Sequence, residues 1–187
     1  LTLHLNELPL EFSEVLFDSL ERLYINGTDV LKDLKHLPNA PNLTYLSVQN
    51  FKSIRLPKRI RKYNELHELL IHNGANLEDV SILRKMKQLG FLKLDKCPKL
   101  RSFPKFTRKH DLVNLNLFSL HKSFEMSNLK HIPRLLNFRV GDLAFETFPA
   151  DLSNTLRQAK IFDNPKLRDI TKLAKYPELI TIKLYNT

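Results

Sequence analysis

The amino-acid sequence predicts an α/β solenoid, with a curved parallel β-sheet on its concave face and short helical or extended return segments on its convex face. Three observations predict this class. A leucine recurs at almost constant spacing, each of these leucines opens the same apolar pattern, and the second half of each unit repeats further apolar positions. We expect one domain, residues 1–187, of about nine units. Since no initiator methionine opens the chain, we expect it to be a fragment of a larger protein.

The strand half of each unit begins at the recurrent leucine. Successive leucines are 23 residues apart, except for one step of 21, and they are Leu20, Leu43, Leu66, Leu89, Leu112, Leu135, Leu156 and Leu179. When the leucine is counted as place 1, places 4 and 6 are apolar in every unit. Place 4 holds Leu23, Leu46, Leu69, Leu92, Leu115, Phe138, Ala159 and Ile182; place 6 holds Ile25, Val48, Ile71, Leu94, Leu117, Val140, Ile161 and Leu184. This alternation predicts a short strand with one face in the core.

The return half of each unit carries a second apolar set. Place 18 holds Leu37, Ile60, Leu83, Phe106, Leu129, Leu152 and Leu173. Places 12 and 15 pair Ile54 with Pro57, Leu77 with Val80, Leu100 with Phe103, and Leu167 with Ile170. A three-residue apolar spacing over residues 77–86 favours a short helix or a 3₁₀ turn. Because no unit can close its own core, the units must stack.

The start of the chain also fits the repeat. Leu1, Leu3 and Asn6 match places 4, 6 and 9 of a unit whose beginning lies outside the sequence. We therefore expect one further strand before the strand of the unit that opens at Leu20.

The units with the clearest motif are residues 89–100 and 156–167, which read LGFLKLDKCPKL and LRQAKIFDNPKL. They resemble the leucine-rich-repeat family, whose unit reads L-x-x-L-x-L-x-x-N/C-x-L. Residues 97–104 are similar to the irregular repeats of plant nucleotide-binding immune receptors, and residues 77–94 to those of bacterial internalins. The resemblance implies a recognition solenoid, and it leaves open a ligand-sensing role inside a larger immune receptor or effector enzyme.

Place 9 departs from this motif in several units. The family has Asn or Cys there, whose side chain bonds to backbone groups inside the turn, but the sequence has Phe51, Leu120 and Leu143 in three units. Without that side chain, the backbone of the turn must find other partners. We expect these three turns to be looser or irregular.

The sequence contains no pattern that indicates catalysis. Its four glycines are scattered, so there is no glycine-rich phosphate loop. Cys97 stands at place 9, where the family uses cysteine structurally, and no histidine pair has zinc-ligand spacing with a cysteine. We interpret most of the histidines as ordinary surface residues and expect neither an enzyme nor a cofactor or metal site. A single cysteine and no run of eighteen apolar residues favour an intracellular protein without a membrane span, cytoplasmic or nuclear.

The net charge of +10 comes from one part of the chain. Residues 51–110 hold sixteen Lys and Arg against five Asp and Glu, whereas the remainder holds fourteen against fifteen. This excess indicates a surface that could bind nucleic acid or another anionic surface weakly and non-specifically. The run at residues 57–62 resembles a nuclear localisation signal, but we interpret it as a solvated outer face.

The outward-facing strand positions form the candidate site. Places 3, 5, 7 and 8 face outward on the concave surface, and in the last units place 5 becomes cationic while place 7 becomes aromatic. Solvent-facing aromatic side chains have no folding reason to be there, so we favour a surface that binds another protein, with an acidic and apolar segment as the expected partner. The alternatives are that the exposed rings are merely scattered, or that a C-terminal segment outside the sequence covers them. The predicted partner-binding residues are Tyr24, Tyr45, His72, Phe91, Lys93, Asn116, Phe118, Arg139, Lys160, Phe162, Lys183 and Tyr185.

Overall fold

The computed structural model describes residues 1–6, 10–27, 36–107, 109–149 and 151–187. Within these residues, nine parallel strands form one sheet in chain order, which confirms the predicted solenoid. The strands are β1 (Thr2–Leu5), β2 (Arg22–Asn26), β3 (Tyr45–Gln49), β4 (Glu68–His72), β5 (Phe91–Cys97), β6 (Asn114–Leu120), β7 (Asn137–Gly141), β8 (Gln158–Phe162) and β9 (Thr181–Tyr185). Parallel neighbours need a crossover connection, and the return segments supply it.

The core lies between the sheet and the returns. From β2 to β8, every residue at places 4 and 6 is at most 1% exposed. The pairing keeps like places side by side, so that Leu92 of β5 lies between Leu69 of β4 and Leu115 of β6. Among the units that open at a recurrent leucine, the last departs from the prediction: Ile182 is 47% exposed and Leu184 is 40% exposed, because β9 is the last strand of the described sheet.

The return segments contain short 3₁₀ helices: η1 (Leu10–Glu14), η2 (Lys58–Lys62), η3 (Ser81–Lys85), η4 (Ser127–His131) and η5 (Thr171–Lys175). The described residues at place 18 are all buried, and η2 to η5 each carry one of them. Places 12 and 15 were predicted less well. Leu77 and Val80 are buried, but Ile54 is 54% exposed, because Phe51 and Leu56 are buried in its unit instead.

The first strand is shifted by two residues from the prediction. Leu3 pairs with Leu23 and Leu5 pairs with Ile25, so these two leucines, rather than Leu1 and Leu3, occupy places 4 and 6. Leu1 is 60% exposed. A shift by an even number of residues leaves the same face inward, and therefore the apolar alternation could not detect it.

The turns after β3 to β9 are regular whatever residue stands at place 9, so the irregularity predicted at Phe51, Leu120 and Leu143 is wrong for the backbone. Place 8 has a positive φ, between 47° and 56°, at Asn50, Asn73, Lys96, Ser119, Asp142, Asp163 and Asn186. The backbone N–H of Asn50 donates to the carbonyl of His72 at 2.9 Å, and that of Asp163 to the carbonyl of Tyr185 at 2.9 Å. Because this backbone bond joins neighbouring units, Phe51 can fill the core in place of a ladder side chain.

Cys97 is fully buried at place 9, and burial raises the pKa of its thiol to about 12. Since the thiolate is the reactive form, we expect native Cys97 to react slowly with a thiol reagent and quickly after unfolding. Mass spectrometry of the labelled chain, with and without denaturant, measures both rates. Fast labelling of the native chain would contradict a structural role and make Cys97 a candidate nucleophile.

His110 is also fully buried, unlike the other six histidines, which are exposed or half-buried. Its Nδ1 accepts a hydrogen bond from the backbone N–H of Leu112 at 3.3 Å, so its Nε2 carries the proton and donates to the carbonyl of Leu83 at 3.0 Å. Both bonds suit the neutral ring. Burial, only partly opposed by the bond to Leu83 and the charge of Asp111, lowers the pKa of His110 below 6.5.

The lowered pKa of His110 predicts a loss of stability in mild acid. Below about pH 6.5 the unfolded chain binds a proton at His110, whereas the folded chain binds it only at lower pH. The contribution of neutral His110 to the free energy of unfolding is therefore complete above that pH and is lost as the pH falls. Urea denaturation at pH 7.5 and pH 5.5 should show a smaller decline for His110→Gln than for the wild type. Equal declines would mean that His110 does not contribute.

Candidate functional site

The concave face of the sheet presents columns of side chains. In-register pairing places residues of one repeat place next to each other on successive strands, about 4.8 Å apart. The twelve predicted partner-binding residues are all on the strands, but they divide into three groups rather than one surface: an N-terminal group on β2 and β3, a central group on β4 to β6, and a C-terminal group on β6 to β9.

Three cations of the C-terminal group form one column at place 5. Arg139 pairs with Lys160, and Lys160 pairs with Lys183. Among the residues that the structure describes, none of these three side chains forms an ion pair with a carboxylate. The positive charge of Arg139, followed by desolvation and by the charge of Lys183, lowers the pKa of Lys160. This cation column therefore offers uncompensated positive charge to an anionic ligand.

Aromatic rings of the same group form a parallel row at place 7. The Phe162 and Tyr185 rings stack with their centroids 4.7 Å apart and their planes 4° apart, and Phe118 meets Phe162 at 5.8 Å. Gly141 stands between Phe118 and Phe162 in the register. A Cβ atom at position 141 would lie 2.8 Å from the Phe118 ring, so glycine lets the two rings meet across β7. The aromatic row Phe118, Phe162 and Tyr185 thus spans four strands.

The central group is neutralised internally. Asp95 accepts a hydrogen bond from Nδ1 of His72 at 2.9 Å, and Nζ of Lys93 lies 3.4 Å from the same carboxylate oxygen. Lys93 also lies 5.9 Å from the centroid of the Phe118 ring. Since its charge is matched by Asp95, Lys93 does not extend the cation column as the sequence predicted.

Asn116 and Phe91 contribute little to the concave surface. Asn116 is 7% exposed, between Lys93 and Arg139 in the register, so it offers a partner almost no surface. Phe91 is half-buried at place 3, at the opposite end of the strands from the aromatic row. The structure therefore joins neither residue to the C-terminal group.

The N-terminal group contains two residues that were absent from the prediction, His4 and Arg22. The His4 and Tyr24 rings stack at 4.4 Å, and Tyr24 meets Tyr45 at 4.8 Å. The Arg22 guanidinium lies 4.0 Å from the centre of the Tyr45 ring, and its Nη2 donates to the Tyr24 hydroxyl at 3.0 Å. The three rings and the Arg22 guanidinium thus contact one another, and Tyr45 is 9% exposed. The place of His4 beside Tyr24 depends on the shifted register of β1, so sequence spacing could not reveal it.

The basic residues of the third and fourth units lie on the return side. Helices η2 and η3 contact each other. Their five exposed basic residues, which we call the return-side basic group, are Lys58, Arg61, Lys62, Arg84 and Lys85. Arg59 of the same run is different, because its Nη2 donates to the carbonyl of Ser13 at 2.7 Å. It ties η2 to the first return and is partly buried.

The described residues hold no group of three or more His, Cys, Asp or Glu that could bind a metal ion. A membrane-spanning helix, long and apolar enough to cross a bilayer, is likewise not found in this part of the chain.

Comparison with known proteins gives matches to repeat proteins. A family model described as R13L1/DRL21 LRRs matches residues 2–97. The disease resistance protein RPP4 of Arabidopsis thaliana is 32% identical over 87 residues, which is 46% of this chain and 8% of that protein. The probable disease resistance protein At4g19520 of the same plant is 26% identical over 186 residues, which is 97% of this chain and 9% of that protein. The chain thus spans less than a tenth of the length of either relative.

Among solved structures, the Leptospira interrogans LRR protein LIC12759 matches with a TM-score of 0.40 and 16% identity. That match covers 99% of this chain and 66% of the solved chain.

Proposed function

Because the chain belongs to the family described as R13L1/DRL21 leucine-rich repeats, we propose that it is a recognition module that binds another protein through the C-terminal part of its concave face. The observation that carries the proposal is the aromatic row beside the cation column. Phe162 and Tyr185 leave ring surface in solvent, and three adjacent cations have no carboxylate partner among the described residues. Rings of this kind supply most of the affinity at protein interfaces, whereas charges mainly set the rate and orientation of encounter.

The partner that suits this surface is an acidic segment with an apolar anchor. The anchor would cover Phe162 and Tyr185, and carboxylates would reach Arg139, Lys160 and Lys183.

Both plant relatives are named as disease resistance proteins, and we propose that the present chain serves as the recognition part of such an immune protein. No catalytic step is assigned to the chain itself. An intracellular location, cytoplasmic or nuclear, belongs to this proposal; its support is the single buried thiol, since secreted repeat domains commonly carry disulfides.

The proposal is tested by affinity capture from plant cell extract with the wild-type chain and with the Phe162→Ala/Tyr185→Ala double variant. Proteins that need the proposed surface should be captured by the wild type and lost with the variant. The matched control is Lys166→Ala/Lys175→Ala, which changes two exposed residues outside the strands, in the unit that opens at Leu156. If every captured protein is retained by the double variant at unaltered affinity, the C-terminal part of the concave face is not the binding site.

A second candidate function is weak binding of nucleic acid or acidic lipid by the return-side basic group. Its support is the contact between η2 and η3, two return helices that together carry five exposed cations. Such binding rests on the release of counterions, so it should be independent of sequence and should fall steeply with salt.

Reversal of Lys58, Arg61 and Lys62 to glutamate should abolish this electrostatic binding. Arg59 is kept because it stabilises the fold. Fluorescence anisotropy with a DNA duplex over a range of salt gives the slope of log affinity against log salt, and each lost phosphate contact should reduce it by about 0.9. A tight complex that persists at high salt, or that survives the three reversals, would contradict this expectation.

A further inference from the structure

We infer that the acidic segment bound by the concave face is an amphipathic α-helix that lies across β6 to β9, with its axis along the row of strands. This inference rests on the proposed function and adds the conformation and direction of the partner. It follows from the spacing of the cation column, from the parallel course of the aromatic row, and from the distance between the two.

The spacing of the cation column matches a helix better than an extended chain. Arg139, Lys160 and Lys183 stand on three consecutive strands in register, so their backbones span about 9.6 Å in two steps of about 4.8 Å. Residues i, i+4 and i+7 of a helix lie on one face and span about 10.5 Å at 1.5 Å per residue. Residues i, i+2 and i+4 of an extended chain share a face but span about 13 Å. A helical acidic stripe therefore needs an adjustment of about 1 Å, and an extended one about 4 Å.

The aromatic row runs in the same direction as the cation column. Phe162 pairs with Tyr185 and Lys160 pairs with Lys183, so both rows cross the strands at right angles to the strand direction. The rows stand two residues apart along each strand, which is about 6.7 Å. A helix with its side chains is about 10 Å wide, so one helix laid along the two rows reaches both. Its acidic stripe would face the cations, and the neighbouring apolar stripe would cover the Phe162 and Tyr185 rings.

The neutralised central group limits how far such a helix stays in contact. Asp95 binds Lys93 and His72, so the column of free cations begins at Arg139. The aromatic row begins at Phe118, one strand earlier, where Gly141 lets that ring approach Phe162. The complementary surface therefore covers β6 to β9, about 14 Å, which corresponds to between two and three helical turns.

Fluorescence anisotropy with synthetic peptides tests the helix directly. One peptide is stapled as a helix, with glutamate at i, i+4 and i+7 beside a leucine stripe. A second has the same numbers of glutamate and leucine residues, with glutamate at i, i+2 and i+4, and contains prolines that prevent a helix. The 187-residue chain should bind the stapled peptide at least about tenfold more tightly. The Lys160→Glu/Lys183→Glu variant should no longer bind that peptide but should bind a version with lysine in place of glutamate. The control variant Lys166→Glu/Lys175→Glu should leave the binding of both peptides unchanged.

Equal binding of the two peptides, tighter binding of the extended one, or no binding of the stapled one would overturn the inference. The inference would also be overturned if the Lys160→Glu/Lys183→Glu variant did not bind the lysine version of the peptide, since the cation column would then not face the helix. The proposed function fails separately, when the Phe162→Ala/Tyr185→Ala variant captures the same cellular partners as the wild type.

Discussion

Alanine in place of Leu92 or Leu117 is expected to lower the free energy of unfolding by about 2–5 kcal/mol in each case. Both side chains are completely buried, and each lies between two neighbouring strands: Leu92 between Leu69 and Leu115, and Leu117 between Leu94 and Val140. Alanine leaves a cavity that faces both neighbours, and in a stacked repeat these neighbour contacts supply the stability. Urea denaturation followed by circular dichroism measures the loss.

The matched control for this experiment is Leu184→Ala. Leu184 has the same repeat place as Leu117, but it is 40% exposed on β9. Its removal from water is incomplete, so its loss should cost clearly less than that of Leu117. Losses below about 0.5 kcal/mol for Leu92 and Leu117 would mean that the register of the repeat is wrong, since a core leucine cannot be truncated so cheaply.

Phe162→Ala and Tyr185→Ala are each expected to weaken binding of a protein partner by about 1–3 kcal/mol. The two rings stack on each other at 4.7 Å on the solvent side of the sheet, so a partner that covers one also contacts the other. Isothermal titration calorimetry with a captured partner measures the loss. Because the rings share one contact surface, the double variant should lose less than the sum of the two single losses.

Two comparisons separate a binding role from a folding role at these rings. The unfolding free energy of both single variants should stay close to that of the wild type, because neither ring belongs to the buried core. Lys160→Ala and Lys183→Ala should chiefly slow association and reduce its dependence on salt, which stopped-flow measurements resolve. A partner whose affinity is unchanged in Phe162→Ala and Tyr185→Ala would move the binding site away from the concave face.

The buried places of the repeat were predictable because the same apolar pattern recurs in every unit. Leucine at place 1, apolar residues at places 4 and 6, and the apolar residue at place 18 recur at one period, and stacking buries them in the same way from β2 to β8. The regular turn could also have been read from the sequence. Place 8 holds Asn or Asp in most units with a positive φ, and these residues adopt the left-handed conformation more easily than other non-glycine residues.

The candidate site was predictable only as columns. Places 5 and 7 face the same side of a strand, so Arg139, Lys160 and Lys183 had to form one row, and Phe162 and Tyr185 another. Which of these side chains are free depends on partners from neighbouring units. His72 of β4 contacts Asp95 of β5, and Arg22 of β2 covers Tyr45 of β3, so each of these contacts joins two strands. Sequence places do not encode side-chain rotamers, so these pairings could not be predicted.

The sequence by itself determined the period, the parallel sheet, the inward face of each strand and the concentration of cations and rings in the last units. It could do so because burial depends on whether a residue is apolar and on its place in the repeat. Only the tertiary structure decided the two-residue shift of β1, the burial of His110, the exposure of Leu184 and the contact of His72 with Asp95. Each of these depends on which atoms of a neighbouring unit stand opposite a side chain, and that neighbour lies about 23 residues away in the chain.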